Sequence, residues 1–334
     1  MRVFRGVNHP GIATACALTI GNFDGVHRGH QAMLALLGSE ARHRGLPCAV
    51  LTFEPHPRDF FARRAGTPEQ APPRIANLRD KLSELERCGV EQTVVLRFDA
   101  RLASLSPRAF IDDVLHDGLG TRYVLVGDDF RFGARRAGDY AMLDAAGAAA
   151  GFDVARMNSY EVHGARVSSS AVRDALAAGD MERSAALLGR PYSISGHVMH
   201  GNKLGRELGF PTLNLRFHHP KPAAHGIFVV LVRGLTDAPL EGVASLGHRP
   251  TVEDAGRVLL ETYCLDWPAE TLGPTGGYGR LAGVELLHKL RDEARYDGLA
   301  ALATAIGQDV ADARAWFAAQ RRQTTRDRIQ RSAD

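Results

Sequence analysis

The 334-residue chain is longer than one comfortable domain, and its 45% hydrophobic content is enough for packed cores, so two domains are expected and intrinsic disorder is excluded. Forty-one basic against 38 acidic residues leave a formal charge of +3, too balanced for a protein that coats nucleic acid, while small anionic ligands stay open. The cysteines Cys16, Cys48, Cys88 and Cys264 have no CxxC spacing; with no signal-peptide pattern and no apolar run near ~18 residues, they read as buried free thiols of a soluble, cytoplasmic protein.

In chain order, the first half alternates. Strand-like runs at 17–20, 48–53, 93–98, 123–127 and 152–156 are separated by helical patterns near 29–44, 75–88, 106–117 and 139–150. That alternation predicts an α/β domain built on a doubly wound parallel sheet with right-handed crossovers. Ser106-Pro107 has the form of an N-cap followed by proline in the first helical turn.

The stretch 18–31, LTIGNFDGVHRGHQ, reads strand, loop, helix. The crevice beyond a strand's carboxyl end, where free N–H groups and a helix dipole meet, favours an anion, and phosphate fits best. Gly21 and Gly29 let backbone approach a ligand closely. His27 and His30, at helical i,i+3 spacing, can donate hydrogen bonds to phosphate oxygens, although such a pair can also be merely satisfied at a helix start. Ser168, Ser169 and Ser170 precede a helix carrying Arg173, either as a plain cap or as a second phosphate contact. The loop GDDFRFG at 127–133 alternates aromatic and polar residues directly after a strand, which suits a planar ligand or a core plug.

A helical run at 170–188 ends at Gly189 with Pro191 just beyond, and a second domain is expected from there. Segments at 193–199, 213–217, 226–232, 242–246, 259–267 and 282–290 are β-like and joined by turns, which predicts an antiparallel barrel or sandwich. An amphipathic helix near 298–321 follows, then a polar tail expected to fray. In the string 201–214, GNKLGRELGFPTLN, the first half reads as a phosphate loop or a plain hairpin. Thr212 and Asn214, two apart in a strand, share a face and can offer two neutral oxygens to one Mg²⁺. Glu261 is a carboxylate in an otherwise apolar strand, where it serves as a base or simply faces outward; Asp266 is the next carboxylate along.

These strings resemble known families. GNFDGVHRGH at 21–30 is similar to the GxFDxxHxGH motif of the nucleotidyltransferase superfamily, and VSSSAVR at 167–173 to its second phosphate motif. GDDFRFG at 127–133 and TFEPHP at 52–57 look like the adenylyltransferase module of the prokaryotic bifunctional riboflavin kinase/FAD synthetase family. GRELGFPTLNL at 205–215 resembles that family's riboflavin kinase motif, and the likeness runs from about 18 to 317.

The resemblance implies an HxGH-type FMN adenylyltransferase domain over 1–188, a riboflavin kinase β-barrel with a terminal helix over 189–322, and a tail over 323–334. In the first, His27 and His30 are implied as catalytic. Gly21, Phe23, Asp24, Gly29, Ser168, Ser169, Ser170 and Arg173 would bind ATP phosphates, with Asp129, Phe132 and His56 on the flavin side. In the second, Gly201, Lys203 and Gly205 would hold phosphate, Thr212 and Asn214 Mg²⁺, and Glu261 would be the base. Tyr263 and Ser245 depart from the family's usual His and Asn. ATP is the implied co-substrate, and riboflavin, FMN and FAD the substrates and products; neither nucleic acid nor membrane is called for. Rival readings are a chain with one live activity, a non-catalytic flavin or nucleotide sensor, and a tRNA-charging fragment that shares the HxGH fold.

Overall fold

The computed structural model describes residues 1–162, 164–200, 204–248, 258–273 and 277–331. The chain divides into two compact units, Met1–Pro72 with Lys81–Ala171, and Pro73–Asp80 with Val172–Asp334.

The first unit is the expected parallel α/β sheet. Strands β1 (Arg2–Arg5), β2 (Cys16–Ile20), β3 (Cys48–Glu54), β4 (Gln92–Arg97), β5 (Thr121–Gly127) and β6 (Asp153–Met157) lie in the order β1-β4-β3-β2-β5-β6, every neighbour parallel. All five residues of β2 are buried, as both faces of a parallel sheet demand. Edge strand β1 escapes the sequence pattern because it is short and polar, with only Phe4 buried. Helices α1 (Arg28–Arg44), α2 (Pro57–Arg64), α3 (Leu78–Arg87) and α4 (Tyr140–Ala150) lie between the strands. Near 106–117 the helix starts as expected, with Ser106 Oγ accepting from Ala109 N–H. It then widens into a π-helix at Phe110–His116, which sets Phe110, Ile111, Val114 and Leu115 together in the core. A small hairpin, β7 (Glu161–Val162) with β8 (Ala165–Arg166), follows β6.

The helical run expected over 170–188 is two helices, α5 (Ser169–Ala178) and α6 (Met181–Leu188). Gly179, at φ 74°, leaves the helix, and Asp180 then accepts from Arg183 N–H to start α6. The barrel strands are β9 (Tyr192–His197), β10 (Thr212–Phe217), β11 (Gly226–Arg233), β12 (Leu240–His248), β13 (Val258–Cys264) and β14 (Leu281–Arg291), in the antiparallel order β10-β13-β12-β11-β14-β9. A bridge between Met199 and Asn214 nearly closes it. Strand β13 shows the alternation of a barrel: Val258, Leu260, Thr262 and Cys264 are buried, while Leu259, Glu261 and Tyr263 are intermediate. Helix α7 (Leu299–Arg331) packs Ala313 and Phe317 on Ile227, Val229 and Val243, and continues ten residues past the expected end at 321.

Two segments ahead of position 189 belong to this second unit. Helix α6 lies on β9 and β14. Pro73–Asp80 runs along the barrel: Arg74 N–H donates to Lys221 O at 2.8 Å, and Asp80 accepts from the Ser195 hydroxyl and, at 3.2 Å, from its N–H.

Candidate functional site

The first site lies where the sheet order reverses. From β2 the chain goes through α1 to β3 on one side, while β5 lies on the other, and a crevice opens beyond such carboxyl ends. The loop leaving β2 is held in uncommon backbone: Phe23 at φ 49°, Gly25 at 83° and Val26 at 42° are left-handed. For a β-branched residue this costs about 1–3 kcal/mol, and burial of Phe23 and Val26 against Leu34 and Leu85 holds them there. Strain of this kind, kept by packing, clusters at functional sites.

The loop delivers His27 as the N-cap of α1, its Nδ1 accepting from His30 N–H at 3.4 Å. An accepting Nδ1 leaves the proton on Nε2, so the neutral ring is a donor on its far edge. The two imidazoles stack at 3.7 Å. Burial, then the neighbouring His27 and Lys81, hold His30 well below the usual histidine range. It is neutral at pH 7, and its buried Nδ1 has no partner among the described residues. A Cβ on Gly29 would be a tight fit, 3.2 Å from His27 Nδ1 and 3.4 Å from Val167 O, so the His27 ring would have to give by a few tenths of an ångström.

The serine motif meets this loop. Ser169 Oγ donates to the buried Asp24's carbonyl at 3.2 Å, and Ser168 Oγ caps α5 by accepting from Ala171 N–H. Ser170 is exposed. Arg173 Nε donates to the Pro73 carbonyl at 2.6 Å.

The three flavin-side expectations fall in different surroundings. Phe132 is the core plug of its two readings: it packs on Phe110 and Phe130, and Gly138 has no room for a Cβ beside its ring. Asp129 is exposed beside Arg166, 3.5 Å away. His56 is buried and caps α2, with Nδ1 accepting from Arg58 N–H at 3.1 Å.

Two features near these loops have no counterpart in the sequence reading. Phe53, Phe60, Phe61 and Phe98 form an edge-to-face cluster at 5.3–5.8 Å beyond β3 and β4, and Phe61 is 49% exposed. The signal available was the aromatic pair following TFEPHP. Lys81 is 1% exposed, with Nζ donating to Glu54 Oε1 at 3.3 Å. A lysine on an amphipathic helix reads as a solvent-facing residue, so no sequence signal pointed to it.

The second site is a row of side chains on the outside of the barrel. Register pairs Thr212 with Tyr263 and Asn214 with Glu261, and on the other side of β13 pairs Glu261 with Ser245. Directly opposed residues share a face with Cβ atoms about 4.5–5.5 Å apart. Glu261 therefore faces outward from the barrel, half-buried, beside Asn214. Asn214 is buried; Nδ2 donates to Thr212 O at 3.3 Å, while Oδ1 has no partner among the described residues. A buried amide oxygen without a donor is costly, and with the Thr212 hydroxyl it makes a hard, neutral oxygen set that suits Mg²⁺.

Around that corner, Gly205 is pressed against the Phe210 carbonyl, 2.5 Å from where a Cβ would lie, and Phe210 meets Tyr263 edge-on. Gly201 and Lys203 lie outside the described residues. An exposed His200 stacks on a half-buried Tyr278 at 3.8 Å, a flat pair that no sequence signal pointed to.

The family model described as FAD synthetase matches residues 9–171, and that described as riboflavin kinase matches 188–317. The bifunctional riboflavin kinase/FMN adenylyltransferase of Escherichia coli K12 is 43% identical over 319 residues, 95% of this chain and 98% of its own length. The protein of the same description from Pseudomonas fluorescens is 45% identical over 300 residues, 90% of this chain and 92% of its own. A crystal structure described as a macrolide-efflux protein from Streptococcus pneumoniae matches with a TM-score of 0.74 at 26% identity, covering 94% of this chain and 99% of that one. Among the described residues no helix is long and apolar enough to cross a membrane. Both family models and relatives of 43–45% identity over nearly the whole length agree: the chain belongs to the bifunctional riboflavin kinase/FMN adenylyltransferase family.

Proposed function

We propose that this chain makes both flavin cofactors, with riboflavin phosphorylation in the barrel over 189–322 and adenylylation of FMN in the α/β domain over 1–188, the polar tail 323–334 serving neither. The observation that supports the reading is that the loop carrying His27 and His30 lies in one compact unit and the row of Thr212, Asn214 and Glu261 in the other.

In the barrel, Thr212 and Asn214 would hold Mg²⁺, which supplies charge neutralisation on the ATP phosphates. Glu261, one strand away, accepts the proton of the riboflavin 5′-hydroxyl as its oxygen bonds to the γ-phosphorus and ADP departs. Gly201, Lys203 and Gly205 would contact the ATP phosphates, and the His200–Tyr278 pair offers a stacking surface for a purine.

In the α/β domain, an FMN phosphate oxygen attacks the α-phosphorus of ATP and pyrophosphate leaves. His27 and neutral His30 would donate to oxygens that gain charge in that step, with the loop of Gly21, Phe23, Asp24 and Gly29 and the helix start at Ser168, Ser169 and Ser170 around the triphosphate. The Asp129–Phe132 loop and the aromatic cluster near His56 form the flavin side, with Phe132 anchoring its loop from below.

Incubation with riboflavin, ATP and Mg²⁺, followed by chromatography, should show FMN first and then FAD. FMN without FAD, or FAD from added FMN only, means one live activity. Flavin binding without turnover means a sensor.

A further inference from the structure

Helices α1 and α3 both start at the crevice end of the parallel sheet. Each follows a strand's carboxyl end, in the crossovers from β2 to β3 and from β3 to β4, and right-handed crossovers taken in the same direction lie on one face. Their side chains then meet turn by turn. Leu34 of α1 and Leu85 of α3 are buried in one cluster with Phe23 and Val26 of the loop. One turn nearer the crevice on each helix, at i−4, stand His30 and Lys81. The Phe23 ring, a member of that cluster, lies 4.9 Å from the His30 ring and joins the two tiers.

Lys81 is buried, and its ammonium donates at 3.3 Å to the carboxylate of Glu54, the last residue of β3. Desolvating an ammonium is expensive, and a buried ion pair is often no more stable than apolar groups of the same size. Stability is therefore a poor reason to place a cation here, and the His30 ring supplies a better one. That ring stacks on His27 at 3.7 Å, with its Nδ1 sealed from solvent. Burial, then His27, then Lys81 disfavour a second proton on it. Around it, among the described residues, the loop adds Asp24, buried, the helix start adds Arg28, exposed, and the end of β3 adds Glu54, which faces the ammonium.

Bound ATP shifts this balance. Its phosphates are negative, and an opposite charge close to an imidazole favours the charged form. A doubly protonated ring would grip the phosphates of ATP and of departing pyrophosphate alike, which tightens binding without speeding the step. A neutral ring keeps one donor for the charge that develops, and a cation fixed nearby opposes the second proton.

We infer that Lys81, clamped by Glu54, is a positioning residue for adenylyl transfer that acts through His30, its charge repelling a second ring proton while ATP is bound. The inference rests on the adenylylation reading of the α/β domain and deepens it.

The test uses full-length protein and the conversion of added FMN to FAD. Lys81→Met keeps a stem of similar length and removes the charge. Its loss of rate should depend on pH: the acid limb of kcat moves up by about one unit, the scale of one charge–charge interaction. On that limb the variant is then about tenfold slower, at alkaline pH least affected, and its KM for ATP does not rise. Lys81→Arg should keep the wild-type limb. In a His30→Ala background Lys81→Met should cost no further rate, because no ring is left to act through. Lys81→Met/Glu54→Gln leaves no unpaired charge and should show the same shifted limb, which covers a single variant that fails to fold. Followed by NMR in histidine-labelled protein, the His30 ring should take its second proton about one unit higher in the variant, a readout independent of turnover.

A limb and a ring titration that stay in place overturn the inference. So does a loss equal at every pH, or one that adds to His30→Ala. A raised KM for ATP at unchanged kcat overturns it as well, since the ammonium then meets the phosphates itself. Wild-type protein that makes no FAD from FMN, or His30→Ala at full rate, overturns the adenylylation reading instead, and neither result needs a Lys81 variant.

Discussion

The crevice beyond β2 and the row on the barrel would each meet phosphate, with opposite parts of the chain. In the α/β unit the site is largely backbone: a loop with left-handed Phe23 and Val26, the start of α1, and Gly21 and Gly29, where a Cβ would be a tight fit. In the barrel it is side chains, with Asn214, Glu261 and Ser245 brought together by register on three strands. A parallel sheet ends its strands in loops and helix starts, so phosphate is met there by N–H groups and dipoles. An antiparallel barrel presents continuous strands, so a ligand on its wall meets alternate side chains. The first site should therefore be sensitive to added atoms, and the second to lost charges.

The sharpest way to separate the two is to remove one donor. His27→Ala or His30→Ala should lower FMN adenylylation by about 10²–10³, the usual scale for a lost electrostatic donor, with riboflavin phosphorylation nearly intact. Undiminished FAD formation in both variants would remove the histidines from the chemistry.

Next in size is the mirror experiment. Glu261→Gln keeps shape but cannot take the hydroxyl proton, so FMN formation should fall by roughly 10² while added FMN is still converted to FAD. An outward-facing glutamate without a task would leave turnover unchanged and move stability by no more than ~0.5 kcal/mol; that result would shift attention to Asp266, which is exposed and paired with Arg314 at 2.9 Å.

A backbone-built site can also be broken by one methyl group. Gly29→Ala places a carbon 3.2 Å from His27 Nδ1, and a small displacement of a catalytic group is expensive. FAD formation should drop on the order of tenfold with little change in melting temperature. Equal activity would mean that the His27 ring has slack.

The smallest effect concerns what ties Pro73–Asp80 to the barrel. Burial pushes the Asp80 carboxyl up to about 6, against the hydrogen bonds from Ser195 and the charges of Arg190 and Arg79 that pull it down. Its ordinary value is 3.8, so between these two values the folded chain keeps a proton that the unfolded chain has released. That contribution favours folding at low pH and is lost as pH rises through about 6. Asp80→Asn should flatten the pH dependence of unfolding in that window by on the order of 1–2 kcal/mol. An unaltered slope would mean that the carboxyl is ionised throughout.

Much of this was legible in the sequence because the chemistry-bearing residues fall in short local strings. GNFDGVHRGH is a loop and a helix start, whose geometry is set within one turn, and Thr212 and Asn214 share a face by strand periodicity alone. The alternation of runs gave the parallel sheet and the barrel. What stayed illegible was burial and distance. Phe132 and Phe61 are both aromatics beside a functional loop, yet one is a core plug and the other half-exposed. Lys81 has no local mark of being buried. The helical run 170–188 has one hydrophobic pattern, and only the φ of Gly179 and the cap at Asp180 split it.

The sequence by itself determined most of the element types, the two strings proposed to hold phosphate and the family, because periodicity, capping and turn chemistry act within a few residues. The tertiary structure alone decided which strands adjoin, and so that Glu261 stands between Asn214 and Ser245. It also decided that Pro73–Asp80 belongs with the barrel rather than with its neighbours in sequence. Pairing of strands far apart in the chain depends on burying both faces of a whole sheet at once, a quantity that no single segment contains.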